Sequence, residues 1–322
     1  MTVRKNTSKN IRLIEVPSEV GAGTRGASLG VEAIKIAALD FRSQFFKKYK
    51  SIVIPNDNAA LFGNPGNRYA KHIRSVLKIY ERVAAAVRDT LRDSRFPLIL
   101  SGDHSSSGGT IAGIKMAYPE SRLGVIWIDA HADLHSPYTT PSGNLHGMPL
   151  AAALNEDNIE EKVNDLDYET IELWELLKGV GDIAPKIDYR DLVYVTLRDF
   201  EEQENALIKA HKVKVISTNE LKKTGVTKIS REILKYLAAC DKIYISFDMD
   251  AMDPTVSRGT GTPVKGGINE REAADLILEL IQNERVCCLE FTEVNPTLDS
   301  ENVMAETAFE ILQKVARQVE II

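Results

Sequence analysis

Short apolar runs alternate with longer amphipathic segments along most of this chain. Eight runs rich in aliphatic and aromatic residues predict β-strands at residues 12–16, 51–55, 97–101, 123–129, 192–197, 213–217, 242–248 and 286–291. Apolar residues that return every three or four positions predict helices at residues 68–92, 230–239, 270–282 and 302–319. This alternation of strands and helices is typical of α/β proteins.

Several of the predicted strands are apolar at nearly every position, including PLIL at 97–100 and GVIWI at 124–128. Such strands are expected where helices cover both faces of a parallel sheet. The pattern therefore predicts a three-layer α/β fold, with a central, mostly parallel sheet flanked by helices. Since no Pro/Ser-rich linker, charge block or repeat of fixed period divides the chain, residues 1–322 are predicted to form a single domain.

Composition narrows the class of protein. The 40 Lys and Arg residues against 46 Asp and Glu residues give a net charge of −6, which argues against a nucleic acid or an anionic membrane as partner. Cys240, Cys287 and Cys288 lie in apolar surroundings and are interpreted as core residues of a protein from a reducing compartment. No run of about 20 apolar residues follows the basic N-terminus or occurs elsewhere, so a cytoplasmic protein is predicted.

An acidic stretch at residues 155–172 carries Ile159, Val163 and Leu166 at helical spacing. We interpret it as a solvated helix within an insertion. A subunit contact or a place at the rim of an active site is the alternative.

Carboxylate and imidazole side chains follow three of the predicted strands. Asp129, His131 and Asp133 come at the end of one, Asp248 and Asp250 at the end of another, and His104 shortly after a third. Alternate residues at a strand end point the same way, so each group aims its side chains at one place. Ligands of open α/β sheets also gather at the carboxyl ends of the strands.

Any one of these residues is readily explained as a turn, a helix cap or a hydrogen-bonded histidine. These explanations do not account for the whole set, because burying so many carboxylates beside an apolar sheet would be very unfavourable without a cation. Oxygen and imidazole donors without a thiolate suit hard or borderline divalent ions, and there are enough of them for two ions that share bridging carboxylates.

A second motif, GAGTRG at residues 21–26, fits the G-x-G-x-x-G pattern of dinucleotide-binding loops. Residues 17–20 separate it from the preceding strand, and no second strand ending in an acid follows at the required distance. The glycines are better interpreted as a flexible loop beside the mouth of an active site.

Six strings in this chain closely resemble the ureohydrolase family, and the arginases within it. They are SGDHS at 101–105, DAHAD at 129–133, SGNLHGMP at 142–149, SFDMDAMDP at 246–254, GTPVKGG at 261–267 and EVNP at 293–296. The string at 142–149 is more similar to arginases than to agmatinases. The resemblance covers residues 101–296, and the flanking α/β pattern is compatible with it.

The resemblance implies a binuclear manganese site. One Mn²⁺ would be held by His104, Asp129, Asp133 and Asp248, and the other by His131, Asp129, Asp248 and Asp250. The residues alone do not select manganese, because zinc or copper would also bind such donors tightly. The implied reaction is attack on a guanidino carbon by a hydroxide that bridges the two ions.

Further residues match family positions near the reacting group. His146 matches the histidine of proton transfer, and an imidazole suits that role near neutral pH. Glu293 matches a carboxylate that can hold the guanidinium, and Thr262 matches a threonine near the reacting end. The structural alternatives are a loop-stabilising hydrogen bond for His146 and a helix cap for Glu293.

The substrate's other end would meet residues at which this chain departs from arginases. Ser142 and Asn144 match two contacts to an α-carboxylate, but His135 stands where arginases have asparagine. Glu201 replaces the aspartate expected at the α-amino group, and Glu204 matches a second acid there.

The resemblance thus implies an arginase that hydrolyses L-arginine to L-ornithine and urea. A sister ureohydrolase acting on agmatine, formiminoglutamate or another guanidino acid is the alternative, on account of His135 and Glu201. A non-catalytic regulator is disfavoured, since none of the family's metal ligands is missing. The family also implies a homo-oligomer, either a trimer or a hexamer.

Overall fold

The computed structural model describes residues 10–321 of the chain. Each predicted strand is present, with ends that differ from the prediction by a few residues. The strands are β1 (Asn10–Val16), β2 (Ser51–Val53), β3 (Arg95–Ser101), β4 (Leu123–Ile128), β5 (Leu192–Val195), β6 (Lys214–Ile216), β7 (Lys242–Asp248) and β8 (Val286–Thr292).

Helices connect these strands. They are α1 (Gly30–Asp40), α2 (Phe45–Lys48), α3 (Ile73–Arg92), α4 (Ser107–Ala117), α5 (Pro149–Leu154), α6 (Tyr168–Lys178), α7 (Glu202–Ala210), α8 (Thr218–Thr224), α9 (Val226–Tyr236), α10 (Glu270–Ile281) and α11 (Val303–Ile321). Short 3₁₀ turns lie between several of them.

The strands form one sheet in the order β2-β1-β3-β8-β7-β4-β5-β6, and each neighbouring pair is parallel. Helices α1, α9, α10 and α11 contribute to the apolar core on one face of the sheet. Helices α3, α4, α5 and α6 contribute to the core on the other face. The predicted three-layer α/β fold is therefore confirmed, and the sheet is parallel throughout.

Strand β4 illustrates why the central strands are apolar at nearly every position. Ile126 and Ile128 lie in the core on one face, whereas Val125 and Trp127 lie in the core on the other. All six residues of the strand are buried. Alternate side chains of a strand point to opposite faces, so a strand covered on both faces needs apolar residues at consecutive positions.

The predicted helix at residues 68–92 begins later, at Ile73. His72 has a left-handed backbone, with φ of 56°, which a right-handed helix cannot include. The helix predicted at residues 230–239 begins and ends earlier in the structure, where helix α9 extends from Val226 to Tyr236.

The three cysteines are buried, as expected of core residues.

The prediction of a solvated helix over the acidic stretch at residues 155–172 is wrong for most of its length. Asn155 and Asn158 have left-handed backbones, which interrupt a helix, and helix α6 begins only at Tyr168. The segment instead contacts the loop at residues 137–140. Asn164 donates from Nδ2 to the carbonyl oxygens of Pro137 and Thr140, at 3.0 and 2.7 Å.

Within residues 10–321, no helix is both long and apolar enough to cross a membrane.

The sheet order has a further consequence for function. Strands β3, β8, β7, β4 and β5 are consecutive in the sheet, so the segments that follow them meet along one edge. In open α/β sheets this edge is the usual place for a ligand.

Candidate metal centre

The six predicted metal ligands meet at the carboxyl ends of three strands. His104 follows β3, while Asp248 and Asp250 lie at the end of β7. Asp129, His131 and Asp133 follow β4, which is the sheet neighbour of β7. Sequence segments more than a hundred residues apart are thereby placed side by side.

His104 faces three of the carboxylates. Its Nδ1 atom lies 3.0 Å from Asp129 Oδ2, 3.0 Å from Asp133 Oδ2 and 3.1 Å from Asp248 Oδ2. The ring is held from behind, because its Nε2 atom lies 2.7 Å from Ser246 Oγ and its face stacks on Trp127 at 4.1 Å between ring centroids. These contacts direct Nδ1 at the carboxylates, as is usual for a histidine that binds a metal.

His131 faces the remaining part of the cluster. Its Nδ1 atom lies 2.9 Å from Asp250 Oδ2 and 3.5 Å from Asp129 Oδ1. The donor atoms of His104, Asp129 and Asp248 form one compact group, and those of Asp129, His131 and Asp250 form a second. Asp129 belongs to both groups, and its two oxygens face different histidines.

The electrostatics of the cluster fit a pair of divalent cations. Burial, together with the charges of Asp250 and Asp129, raises the pKa of Asp248 well above its ordinary value. The Asp133 carboxyl has a pKa raised to about 6 by burial and by the charge of Asp129. Such shifts express the cost of crowding buried carboxylates, and a bound cation would offset that cost.

Two donor atoms at the centre of the cluster are also unsatisfied. His104 Nδ1 and Asp129 Oδ2 are buried and lie 3.0 Å apart, but neither makes a hydrogen bond of acceptable geometry among the described residues. Buried polar atoms without partners are rare in proteins and call for an explanation. Metal coordination provides one, since a metal ion accepts lone pairs from both atoms.

Every predicted site residue except Glu293 lines a single cavity of about 150 Å³. Thr140, Pro141 and Gly147 complete its lining. The predicted substrate contacts therefore share one space with the predicted metal ligands. Thr262 is placed close to the ligands, because its Oγ1 donates to Asp250 Oδ2 at 3.1 Å.

Glu293 is not among the residues that line the cavity, but it contacts two residues that are, His104 and His146. Its Oε1 atom accepts a hydrogen bond from the backbone N–H of His104 at 3.0 Å, and His146 Nδ1 lies 3.4 Å from the same oxygen. The backbone of Glu293 is left-handed, with φ of 64°, a strained conformation that is common at functional sites. Burial alone would lower the pKa of His146, but the hydrogen bond with Glu293 raises it above its ordinary value.

His135, Glu201 and Glu204 form a further compact group on the cavity wall. His135 Nε2 lies 3.0 Å from Glu201 Oε2, and this hydrogen bond lowers the pKa of Glu201 to about 2. Burial raises the pKa of Glu204 to about 7. Ser142 and Asn144 lie on the loop that also lines this cavity.

The glycine-rich loop lies beside this cavity, as the interpretation of residues 21–26 requires. Gly21 accepts a hydrogen bond at its carbonyl from the backbone N–H of His146, at 3.1 Å. A Cβ atom on Gly23 would lie only 2.5 Å from Asn144 Nδ2. The glycines thus allow the loop to approach the site closely.

Two residues that orient His104 had no role in the sequence interpretation. Ser246 occurs in one of the family strings, and its position two residues before Asp248 puts it on the same side of β7, which could have indicated its role. Trp127 resembles any apolar core residue of β4 in the sequence. Its stacking on His104 emerges only when β3 and β4 are placed in one sheet.

Comparison with known proteins agrees with this geometry. A model of the arginase family matches residues 9–317. The arginase of Bacillus subtilis strain 168 is 36% identical over 309 residues, covering 95% of this chain and 97% of that relative. The structure of Bacillus caldovelox arginase superposes with a TM-score of 0.83 at 33% identity, covering 95% of this chain and 98% of the other.

A Bacillus subtilis formimidoylglutamase has the same fold, with a TM-score of 0.74 at 22% identity. The match covers 97% of this chain and 88% of the formimidoylglutamase chain. Such a low identity supports a shared fold alone, whereas the two arginases are similar to this chain in sequence over nearly its whole length. This chain belongs to the arginase family of ureohydrolases, hydrolases that act on guanidino C–N bonds.

Proposed function

We propose that this protein is a binuclear manganese hydrolase that converts L-arginine to L-ornithine and urea. The observation that carries the proposal is a single cavity in which two ligand groups sharing Asp129 face carboxylate and hydroxyl groups suited to an amino acid. Its membership of the arginase family supports the same reaction.

His104, Asp129, Asp133 and Asp248 would hold one Mn²⁺, and His131, Asp129, Asp248 and Asp250 the other. When bound, two divalent cations supply a nucleophile near neutral pH, because they lower the pKa of a shared water. The oxygen-rich donor set is compatible with manganese. Asp129 would contribute to both sites because its two oxygens face different histidines, and Asp248 would do so by resemblance.

The protein's own groups would orient the substrate. Thr262 would contact the reacting end, and Glu293 is proposed to attract the guanidinium through its negative charge. Ser142 and Asn144 would contact the carboxylate at the other end of the substrate, with His135 beside them. Glu201 and Glu204 would face its amino group. Fixing both ends holds the guanidino carbon at one place in the cavity.

His146 is proposed to donate a proton to the departing amine. It lines the cavity without belonging to either ligand group, and its Nδ1 atom lies 3.4 Å from Glu293 Oε1. Replacing it, as His146→Asn, is expected to lower kcat by about 100-fold or more while two manganese ions remain bound. Steady-state kinetics with metal analysis would measure both. The exposed His211, as His211→Asn, is the matched control, and wild-type turnover by His146→Asn would exclude the proton-transfer role.

The hydrogen bond between His135 and Glu201 favours a second candidate, a ureohydrolase for agmatine, formiminoglutamate or a guanidino acid. In this hydrogen bond His135 engages the Glu201 carboxylate, which the α-amino group of an amino-acid substrate would need as its partner. The deciding experiment loads the protein with Mn²⁺ and compares urea release from L-arginine and agmatine with formamide release from formiminoglutamate. We expect L-arginine to have the highest kcat/KM. Strong turnover of either competitor without turnover of L-arginine would refute the proposal.

We further propose that residues 1–322 act as one catalytic domain, and that the protein is a cytoplasmic homo-oligomer, either a trimer or a hexamer. The single family match over residues 9–317 supports the first point. The oligomer is proposed by family resemblance and is testable by light scattering.

A further inference from the structure

The cavity wall carries two carboxylates that belong to neither group of proposed metal ligands, Glu201 and Glu204. An ammonium group of a bound substrate would seek these oxygens, since a carboxylate is its strongest partner. Recognition of an amino group at this site therefore depends on how many of these carboxylate oxygens are free to accept a hydrogen bond. The inference below rests on the proposed hydrolysis of a guanidino substrate in this cavity.

Protein donors already engage most of these oxygens. Glu201 Oε2 lies 3.0 Å from His135 Nε2. Glu204 Oε1 accepts from the backbone N–H of Leu134 at 2.9 Å, and its Oε2 accepts from the backbone N–H of Glu201 at 3.0 Å. An incoming ammonium group that binds to any of these three oxygens would have to share the acceptor or displace its donor.

His135 is the donor that a side-chain substitution can remove, and it is held firmly. The ring is buried, with 6% of the residue exposed. Its Nδ1 atom lies 3.0 Å from Thr139 Oγ1, so both ring nitrogens are engaged. Because a carboxylate only accepts, Nε2 must carry the hydrogen towards Glu201. Displacing the ring would leave that buried N–H without a partner, which is unfavourable.

The part of the cavity that would hold a carboxylate is arranged differently. Asn144 lies on the wall with its Oδ1 atom accepting from Lys71 Nζ at 3.3 Å. Lys71 is fixed beside this loop by a backbone hydrogen bond to Gly143, at 2.9 Å. A cation next to Asn144 favours a negatively charged ligand group there. The cavity therefore keeps its support for a carboxylate while most of its acceptors for an amine are engaged.

We propose that His135 is a specificity-determining residue that competes with the substrate's ammonium group for Glu201. The pocket then discriminates weakly between an amino acid and the corresponding acid without the amino group. Its substrate class is guanidino carboxylic acids. The α-amino group of L-arginine contributes less to binding than it would if Glu201 were not hydrogen-bonded to His135.

The test compares L-arginine with its des-amino analogue, 5-guanidinopentanoate, in wild-type protein and in His135→Asn, both loaded with Mn²⁺. Asparagine is shorter than histidine and would leave Glu201 free. We expect KM for L-arginine to fall about tenfold, which corresponds to one recovered charge-assisted hydrogen bond, and KM for the analogue to change by less than about twofold. Thr139→Val, which loosens the ring without removing it, should shift the ratio in the same direction by less.

An unchanged ratio of the two KM values in His135→Asn would overturn the inference. So would a rise in both KM values, because it would mean that His135 binds the carboxylate itself. His211→Asn controls for loss of a histidine elsewhere, and thermal melting checks that each variant is folded.

Calorimetry with L-ornithine and 5-aminopentanoate separates this inference from the proposed function. If neither guanidino compound is turned over, the arginase proposal fails. The inference survives only if His135→Asn strengthens L-ornithine binding relative to 5-aminopentanoate, and it fails if the relative affinity is unchanged or neither compound binds.

Discussion

Replacing Asp129 with alanine is expected to abolish guanidino hydrolysis and manganese binding together. Its Oδ2 atom lies 3.0 Å from His104 Nδ1, and its Oδ1 atom lies 3.5 Å from His131 Nδ1. It is the residue common to both ligand groups. Removing a ligand of one ion alone would weaken mainly that site, whereas removing Asp129 takes an oxygen from each group. Residual turnover should be lower than that of the wild type by at least about 1,000-fold, the scale of losing a catalytic unit.

The effect can be measured without an activity assay. Bound metal is counted after dialysis, and the melting temperature is compared with and without Mn²⁺. An ion present at 100 times its Kd stabilises the wild type by about 2.7 kcal/mol per site, and Asp129→Ala should lose this increment.

Asp241→Ala is the matched control for Asp129→Ala. Asp241 also accepts a backbone N–H, that of Arg122 at 2.8 Å, but it lies beside the opposite end of β7. A metal-replete, active Asp129→Ala protein would show that the ligand assignment is wrong.

The metal cluster could be predicted because its geometry is mostly local. Asp129, His131 and Asp133 keep a two-residue spacing at the end of an apolar strand, and so do Asp248 and Asp250. What local pattern cannot supply is the order of the strands. The cluster forms because β7 lies between β4 and β8, with β3 next to β8, and this order depends on long crossover connections.

The contacts between side chains from distant segments were also beyond sequence reasoning. His135 was identified as a departure from the arginases, but its hydrogen bond to Glu201 depends on how two loops meet above the sheet. The acidic stretch was misjudged because left-handed asparagines at 155 and 158 override its helical spacing. The hydrogen bond between the Glu293 carboxylate and the His104 backbone N–H likewise depends on how the segments after β3 and β8 meet.

Glu290 is the clearest example of a residue without a sequence signal. It is a fully buried carboxylate within the apolar strand β8, at 0% exposure. Its Oε1 atom accepts from Ser101 Oγ at 2.7 Å and from Ser106 Oγ at 3.2 Å. Its Oε2 atom accepts from Thr110 Oγ1 at 2.8 Å and from Tyr244 OH at 2.6 Å. Four hydroxyl groups from three other elements and a turn therefore converge on one side chain.

Replacing Glu290 with alanine is expected to lower the free energy of unfolding by about 4 kcal/mol. The change would leave several buried hydroxyl groups without an acceptor and would open a cavity in the core. Ser101 and Ser106 flank the segment that carries His104, so manganese affinity should fall as well. Urea denaturation of the metal-free protein measures the first effect, and metal titration of the folded protein measures the second.

Glu290→Gln separates the hydrogen-bond network from the charge. The amide oxygen still accepts, and hydroxyl groups can rotate to accept from the amide nitrogen. We therefore expect this variant to lose only about 1–2 kcal/mol, since most of the network is retained. Equal destabilisation by alanine and glutamine would contradict the argument, because it would make the negative charge, and not the shared acceptor, the stabilising feature. Unchanged manganese affinity in a folded Glu290→Ala protein would show that the His104 segment holds its position without this network.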